Sequence, residues 1–256
     1  MNVSQLSGNH RKWIRRLHRK KFRMEEGVFI AEGFNALEAA LAATLHPVLE
    51  VVADKAHLEP IADILPGHVP IYECTGSAME EISTEQTPQG VVVICRHGDF
   101  PLQKLEDTAS GTLIYLDRVS DPGNLGTIMR TAAWFGVRQM ALSPSCVDPF
   151  NTKAIRASAG AVFKTETYQP VTPQQIRAFA EKAGYNMIAT VPRGGISPYE
   201  VKKDDKNIVM LGQEANGLSE ELTGYADRLV SIHGRGDMES LNLSVAAAII
   251  LYEITK

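Results

Sequence analysis

Short apolar runs alternate with helical patterns along most of the chain, and this alternation restricts the fold more than any other feature. In the first half the predicted strands and helices alternate in the order strand 28–31, helix 33–43, strand 48–53, helix 58–65, strand 69–73, helix 77–82 and strand 90–95. Strands separated by helices favour a sheet that is covered on both faces. The predicted fold class is therefore α/β, with a largely parallel sheet.

The alternation is interrupted at one polar segment and then resumes. Residues 96–111 are rich in glycine, proline and charge, a composition typical of a linker, so we place a domain boundary there. Beyond it we predict strands at 112–116, 138–142, 186–191, 208–211 and 227–232, and helices at 125–135, 153–158, 173–183, 219–225 and 240–254. By length alone, a chain of 256 residues fits one large domain or two modest ones, and either can bury a core.

A run of cations near the N-terminus differs from the acidic remainder of the chain. Residues 11–23 hold eight lysines and arginines and no acid, so a net charge of −4 leaves −12 on everything else. Trp13, Ile14 and Leu17 recur within the run at helical spacing, so one face can pack while the other stays charged. Because phosphate neutralisation is the sequence-independent part of nucleic-acid affinity, we predict an arm that contacts RNA phosphates. A solvated tail is the alternative. The eight cations are Arg11, Lys12, Arg15, Arg16, Arg19, Lys20, Lys21 and Arg23.

Composition argues against several other classes of protein. The longest apolar stretch, 245–252, is too short to span a bilayer, and no apolar signal segment is present, so we expect a cytoplasmic protein. Cys74, Cys95 and Cys146 are odd in number and widely spaced, which indicates buried thiols rather than disulfides. The seven histidines form no ligand cluster, and we predict no metal site.

The segment after the strand at 112–116 has a polar character that a plain α/β domain does not require. A polar turn leads into a helix that carries Asn124 at its start and Arg130 six residues later. In open α/β sheets, ligands bind at the carboxyl ends of strands, so both are candidate site residues. Two structural alternatives stay open: Asn124 as a helix N-cap, and Arg130 in a surface pair with Asp117 or Asp121.

A second segment combines glycines with a carboxylate. The strand at 208–211 ends at Leu211-Gly212, and Glu214 then lies in a short loop closed by Gly217. Glycine permits close approach of backbone to a ligand, and Ser219 suits the start of a following helix.

A third segment runs from Ile232 through a glycine-punctuated loop to Leu241, Asn242 and Ser244. The helix that follows is apolar nearly all round, which indicates burial by its own core or by a partner. No dinucleotide fingerprint, Walker A sequence, HExxH or CxxC pair is present in the chain.

In this order the three segments resemble the three motifs of the SpoU family, also called the TrmH family, of RNA ribose 2′-O-methyltransferases. The matching patterns, within 112–256, are Asn124-x5-Arg130-Thr131-Ala132, Gly212-x-Glu214-x2-Gly217 and Ser240-Leu241-Asn242-x-Ser244. The stretch 29–33, ahead of an alanine-rich helix, is similar to the small substrate-binding domain often found before the catalytic part. The chain departs from the family at Ile232-His233-Gly234, where Ile-Pro-Met is usual.

The resemblance implies a SPOUT-type catalytic domain whose C-terminal segment threads a trefoil knot, and a homodimer with active sites near the subunit interface. Beyond the basic arm at 1–24, which the charge of the sequence predicts, the resemblance implies an RNA substrate-binding domain at 25–100 and a methyltransferase domain at 108–256. The expected cofactor is S-adenosylmethionine. The expected partner is RNA, with ribosomal RNA first and transfer RNA as the second candidate.

The resemblance also implies roles for individual residues. Arg130 is the central catalytic residue, Asn124 and Glu214 shape its surroundings, and Asn242 closes the site. The residues expected to hold the cofactor, chiefly through their backbone, are Leu211, Gly212, Gly217, Ile232 and Leu241. Those expected to reach the substrate are Arg156, Ser158 and Gly160. Because arginine is effectively never deprotonated in proteins, we expect Arg130 to stabilise charge rather than to act as the base.

Two other functions compete with this interpretation. A non-catalytic RNA-binding protein would explain the basic run, but gives no reason for Glu214 between Gly212 and Gly217. A nucleotide-dependent oxidoreductase would explain the α/β alternation, but the glycine fingerprint is missing. Titration with S-adenosylmethionine and with NAD separates these possibilities.

Overall fold

The computed structural model describes residues 3–108, 111–202 and 206–256. Residues 1–2 of the predicted arm and 109–110 of the predicted boundary lie outside the described residues. The chain divides into two compact units. The first contains the described residues up to Gly98 together with Phe150–Lys164, and the second contains Asp99–Pro149 and Thr165–Lys256. The segment Phe150–Lys164, which falls inside the predicted 108–256 domain, thus packs with the first unit.

A five-stranded sheet forms the centre of the first unit. Its strands are β1 (Val3–Gln5), β2 (Val28–Glu32), β3 (Val48–Asp54), β4 (Ile71–Cys74) and β5 (Val91–Arg96), in the order β1-β4-β3-β5-β2. β4 runs parallel to β1 and β3, whereas β5 runs antiparallel to β3 and β2. This sheet is mixed rather than largely parallel, because apolar periodicity indicates that a strand is buried but not its direction.

The helices of the first unit cover this sheet, and the predicted arm is one part of that cover. They are α1 (Gly8–Arg16), α2 (Lys20–Glu26), α3 (Phe34–Leu41), α4 (Leu58–Ile64) and α5 (Gly76–Ile82). Ile14 and Leu17 are fully buried in a core that includes Ile30, Val52 and Ile94. The basic run is therefore a folded helix pair whose apolar face belongs to the core.

The second unit has a six-stranded sheet in which every pairing is parallel. Its strands are β6 (Thr112–Leu116), β7 (Gln139–Leu142), β8 (Glu166–Tyr168), β9 (Asn186–Thr190), β10 (Asn207–Leu211) and β11 (Arg228–Val230), in the order β11-β9-β10-β6-β7-β8. The central strands β6 and β10 are buried almost throughout, as expected of a parallel sheet with both faces covered. The predicted α/β class with a parallel sheet is confirmed here.

Further helices follow along the rest of the chain. They are α6 (Leu102–Thr108), α7 (Pro122–Trp134), α8 (Thr152–Ser158), α9 (Pro173–Ala183), α10 (Glu220–Gly224) and α11 (Leu243–Thr255). α8 lies in the segment Phe150–Lys164, the inserted segment. Asp121, Ser219 and Asn242 are the N-caps of α7, α10 and α11. α7 follows the carboxyl end of β6, and α10 and α11 follow the loops after β10 and β11. The caps therefore determine where each helix begins beside the carboxyl ends of these strands.

Candidate active site

The predicted site residues lie at the carboxyl-terminal edge of the six-stranded sheet. β6 and β10 are parallel neighbours, and Leu116 is paired with Leu211 at their last residues. The amide of Asp117 donates to the carbonyl of Leu211 at 2.8 Å, so the segments that follow the two strands begin side by side. Open parallel α/β sheets bind their ligands at this edge.

A chain of side-chain hydrogen bonds joins the three motifs. Asn124 Nδ2 donates to Glu214 Oε1 at 2.8 Å, and Asn242 Nδ2 donates to Asn124 Oδ1 at 3.1 Å. Asn242 Oδ1 in turn accepts from the amides of Ser244 and Val245, at 2.9 and 3.4 Å, and thereby caps α11. The structure therefore brings together Asn124, Glu214 and Asn242 from three separate parts of the sequence.

Asn124 is available for this chain because another residue caps its helix. Asp121 Oδ1 accepts from the Asn124 amide at 2.8 Å, and Pro122 occupies the first helical position. The alternative of Asn124 as the N-cap is therefore wrong, and its side chain binds Glu214 and Asn242 instead.

The loop that carries Glu214 is closed by backbone contacts. Gln213 and Gly217 exchange two backbone hydrogen bonds of 3.1 and 2.8 Å, and Gly217 has a φ of +64°. A Cβ on Gly212 would lie 2.1 Å from the backbone of Gly217 and of Leu218, so a larger residue cannot fit without opening the turn. The two glycines thus set the position of the exposed Glu214 carboxylate.

Arg130 lies on α7, six residues after Asn124, and its side chain is exposed. Six residues of helix correspond to about 9 Å along the axis. Within the described part of the chain its guanidinium has no hydrogen bond or ion pair, so the surface pair with Asp117 or Asp121 is not observed. In the described residues no contact joins Arg130 to Asn124, Glu214 or Asn242, so the structure brings these three side chains together without it.

Asp117 and Arg118 were not selected from the sequence as site residues, yet they connect the first motif to the second. The buried Asp117 carboxylate accepts from Arg118 Nε at 3.1 Å and from the Ser219 amide at 3.0 Å. Arg118 also donates to the carbonyl of Gly217 at 3.3 Å. An acid directly after a buried strand is a signal that could have selected Asp117, whereas no signal in the sequence selects Arg118.

The loop after β9 is a further part of the edge that the sequence left unselected. β9 lies between β10 and β11 in the sheet, and the loop 191–196 bonds through the amides of Val191 and Ile196 to the carbonyls of Val230 and Leu229 in β11. A Cβ on Gly195 would lie 2.6 Å from the backbone of β11, and the Gly195 amide donates to Ser231 Oγ at 3.1 Å. A glycine pair separated by two residues from the end of a predicted strand was the available signal.

The residues expected to hold the cofactor supply apolar surface and backbone at this edge. Leu211 and Gly212 are buried, Ile232 is half-buried, and Leu241 is 48% exposed. The loop between them is exposed from 233 to 242. An adenine ring requires an apolar surface and main-chain partners, so these residues fit S-adenosylmethionine.

Other reactive groups near the edge have no catalytic character. Cys146 Sγ donates to the carbonyl of Leu116 at 3.2 Å, and burial raises the pKa of this thiol, so it stays protonated. All three cysteines are buried thiols, which confirms that prediction.

In residues 3–108, 111–202 and 206–256, no group of three or more His, Cys, Asp or Glu could hold a metal ion. Across the same residues no helix combines the length and apolar character needed to cross a membrane.

Comparison with known families identifies the family to which the protein belongs. Residues 111–252 match the model of the SpoU rRNA Methylase family. The chain belongs to the SpoU methylase family. Residues 9–93 of this SpoU methylase match the model of an MRM3-like substrate binding domain. Family membership identifies the protein as an RNA methyltransferase, which confirms the prediction made from the three motifs.

Individual relatives resemble the SpoU methylase over nearly its whole length. An AdoMet-bound rRNA methyltransferase from Sinorhizobium meliloti is 32% identical with a TM-score of 0.86, covering 99% of this chain and 97% of that one. An uncharacterized tRNA/rRNA methyltransferase of Synechocystis is 31% identical over 94% of this chain and 89% of its own length. The 23S rRNA (guanosine(2553)-2′-O)-methyltransferase RlmP of Bacillus subtilis is 28% identical over 94% and 93%. The expected cofactor, S-adenosylmethionine, is confirmed.

The segment Phe150–Lys164 of the SpoU methylase makes structural contacts at the residues expected to reach the substrate. Arg156 donates to Thr84 Oγ1 at 2.8 Å and lies 3.9 Å from Glu85 Oε1. Ser158 is fully buried and donates to the carbonyl of Ile155 at 2.7 Å. These two side chains therefore stabilise the first unit, because their polar atoms are engaged within it.

Proposed function

We propose that this SpoU methylase transfers the methyl group of S-adenosylmethionine to a ribose 2′-hydroxyl of ribosomal RNA, with transfer RNA as the second candidate. The observation that carries the proposal is the hydrogen-bonded chain from Glu214 through Asn124 to Asn242. It unites three motifs at a ligand-binding edge, which neither an oxidoreductase nor a simple RNA-binding protein requires.

The reaction needs alignment and charge stabilisation from the protein. A ribose hydroxyl is a poor nucleophile at neutral pH, and negative charge develops on its oxygen during attack. When bound, S-adenosylmethionine supplies an electrophilic methyl group. The task of the side chains is therefore to hold the hydroxyl in line and to lower the energy of the developing alkoxide.

Arg130 suits the second of these tasks. Its exposed guanidinium is cationic at all relevant pH values and can bind the phosphate beside the reacting ribose. A cation close to a developing alkoxide stabilises the transition state more than the ground state. Arg130 is thus the proposed catalytic charge stabiliser, and it does not act as the base.

Asn124, Glu214 and Asn242 suit the first task. The Asn124 amide is held from both sides, because its nitrogen donates to Glu214 and its oxygen accepts from Asn242. Asn242 is itself fixed as the N-cap of α11. We assign these three residues to shaping the pocket, and Leu211, Gly212, Gly217, Ile232 and Leu241 to holding the cofactor.

The exposed cations of α1 and α2 support the proposal that the first unit binds the RNA substrate. Arg23 is buried and donates to the carbonyls of Leu17 and His18, so it is structural. Arg11 lies 3.6 Å from Glu81. Four further cations are exposed, and in the described part of the chain their side chains have no hydrogen bond or ion pair: Lys12, Arg15, Arg19 and Lys20. We assign phosphate contacts to these four, and substrate binding to residues 25–100 together with the arm at 1–24.

The catalytic domain at 108–256 is proposed to act as a homodimer. Val245, Ile249 and Tyr252 expose 47%, 37% and 49% of their surface on α11, and Trp134 of α7, which packs against α11, exposes 84%. Such an apolar surface favours a second copy as its cover. We expect the wild-type chain to sediment at twice its monomer mass, and Tyr252→Glu to reduce this mass.

A trefoil knot in the C-terminal segment and a cytoplasmic location complete the proposal.

The experiment that tests the function uses RNA from cells that lack the gene. Purified protein and labelled S-adenosylmethionine are incubated with this ribosomal RNA and with its transfer RNA, and 2′-O-methyl positions are mapped. Label at one ribose of ribosomal RNA supports the proposal. Label in transfer RNA alone moves the substrate to the second candidate. RNA binding without cofactor binding or transfer would overturn the enzymatic assignment.

A further inference from the structure

Arg118 has a left-handed backbone conformation, which is unfavourable for a residue that carries a side chain. Its φ is +57°, in the left-handed region, and among the described residues only one other non-glycine residue, Ala159, has a positive φ. A residue with a Cβ is disfavoured in this region and persists there when surrounding contacts fix it. The Arg118 amide donates to Ser143 Oγ at 2.9 Å, which anchors the backbone at the end of β7.

The side chain of Arg118 extends from this anchor to the second motif. Two of its nitrogens, Nε and one terminal nitrogen, each lie 3.1 Å from Asp117 Oδ2, and the same terminal nitrogen donates to the carbonyl of Gly217 at 3.3 Å. The Asp117 side chain is 4% exposed, so this ion pair is poorly screened. A planar guanidinium can bind a carboxylate and a carbonyl at once, which an ammonium group cannot do with the same geometry.

The carbonyl that Arg118 binds belongs to the turn that places Glu214. Gly217 also accepts from the Gln213 amide at 3.1 Å, and these two bonds on one oxygen hold the closing residue of the turn. Asp117 holds the next part of the loop through the Ser219 amide at 3.0 Å. Arg118 and Asp117 thus fix the C-terminal end of the Glu214 turn and the residues that follow it.

We infer that Arg118 is a positioning residue of the methyl-transfer reaction, which fixes the Gln213–Gly217 turn so that Glu214 meets Asn124. The inference rests on the proposed function of the site. Arg118 acts through Glu214 and does not itself touch the reacting atoms. Its contribution is therefore to the turnover step, and not to the attraction of RNA.

The decisive variant is Arg118→Gly, because glycine adopts a φ of +57° without strain and removes only the side chain. We expect kcat to fall about 10- to 100-fold, as when a reacting constellation is displaced by about an ångström. Arg118→Lys keeps the charge but cannot span Asp117 and Gly217, so its kcat should fall similarly. Arg138→Ala, at an exposed arginine before the opposite end of β7, is the matched control and should keep the wild-type kcat.

A double substitution separates positioning from general stability. If Arg118 acts through Glu214, Arg118→Gly should lower kcat far less in a Glu214→Ala chain than in the wild type. Multiplied losses would overturn the inference. A raised KM with unchanged kcat in Arg118→Gly, restored by Arg118→Lys, would also overturn it, because that result describes an RNA-binding cation.

A third measurement does not depend on catalysis. Amide hydrogen exchange in Arg118→Gly should be faster at Gln213 and Gly217 than in the wild type, and unchanged in Arg138→Ala. Equal exchange in all three chains contradicts the positioning role even if the wild type proves inactive. Failure of the wild type to transfer methyl to ribosomal or transfer RNA, with faster exchange in Arg118→Gly, would instead contradict the proposed function alone.

Discussion

Replacement of Gly212 by alanine should open the turn on which the second motif depends. A Cβ at this position would lie 2.1 Å from Gly217 C and from Leu218 N, and 2.4 Å from Gly217 O. All three atoms are backbone, so none can rotate away as the end of a side chain would. The turn must move, and the two backbone hydrogen bonds between Gln213 and Gly217 are the contacts that it would lose.

The magnitude follows from those two bonds. Each contributes about 1 kcal/mol, so we expect Gly212→Ala to lower the free energy of unfolding by about 2 kcal/mol, within the usual range for over-packing. For a domain of this size that corresponds to a fall in Tm of roughly 4–8 °C. Because the open turn displaces backbone assigned to the cofactor, the Kd for S-adenosylmethionine should rise at least about tenfold, which is 1.4 kcal/mol.

Calorimetry measures both quantities, with Gly224→Ala as the matched control. Gly224 ends α10, and a Cβ there would meet no heavy atom within 4 Å. We expect this control to change Tm and cofactor affinity little, since alanine suits a helix better than glycine. If Gly212→Ala matches Gly224→Ala in both measurements, the steric reasoning is wrong.

Three further predictions concern other parts of the chain. Arg130→Ala should lower kcat about 100-fold or more with little change in the Kd for S-adenosylmethionine, measured by single-turnover transfer and calorimetry; wild-type transfer would remove Arg130 from catalysis. Changing Lys12, Arg15 and Arg19 together to glutamine should reduce the log–log salt slope of RNA binding by up to about 2 units, and parallel slopes would show that these cations make no phosphate contact. Burial lowers the pKa of His46 from 6.5 to about 4, so the folded first unit resists protonation that the unfolded chain accepts. Its stability should therefore be full above pH 6.5 and fall by about 3 kcal/mol toward pH 4, and an equally steep fall in His46→Leu would contradict this assignment.

The RNA contacts of the basic arm are tested by substitution, because deletion of the arm would damage the core of the first unit. Deleting residues 1–24 would remove Ile14 and Leu17 from the core of the first unit, so loss of RNA binding would then report unfolding. The same reasoning applies to a truncation that starts near Lys104 and separates the inserted segment from its unit. Such a chain would expose Phe163 and Phe150, which pack against Phe29, and we expect it to aggregate.

Local patterns in the sequence predicted most elements near their final bounds. The strand predicted at 112–116 is β6 itself, and the helix predicted at 173–183 is α9, since apolar periodicity and a capping residue are properties of adjacent residues. The helix predicted at 125–135 begins earlier, at Pro122, because Asp121 and not Asn124 is its cap. The short strands β1 and β8 and the helix α6 were missed, since their few residues give little periodicity.

The sequence by itself determined the α/β class, the family and the residues that carry its motifs, because these depend on the order and spacing of side chains along the chain. Only the tertiary structure decided that Asn124 bonds to Glu214 and Asn242, that the segment Phe150–Lys164 packs with the first unit, and that β5 runs antiparallel. It also decided the left-handed backbone of Arg118. Each of these depends on contacts between residues far apart in sequence, and the free energy of such contacts is not written in the local pattern of either partner.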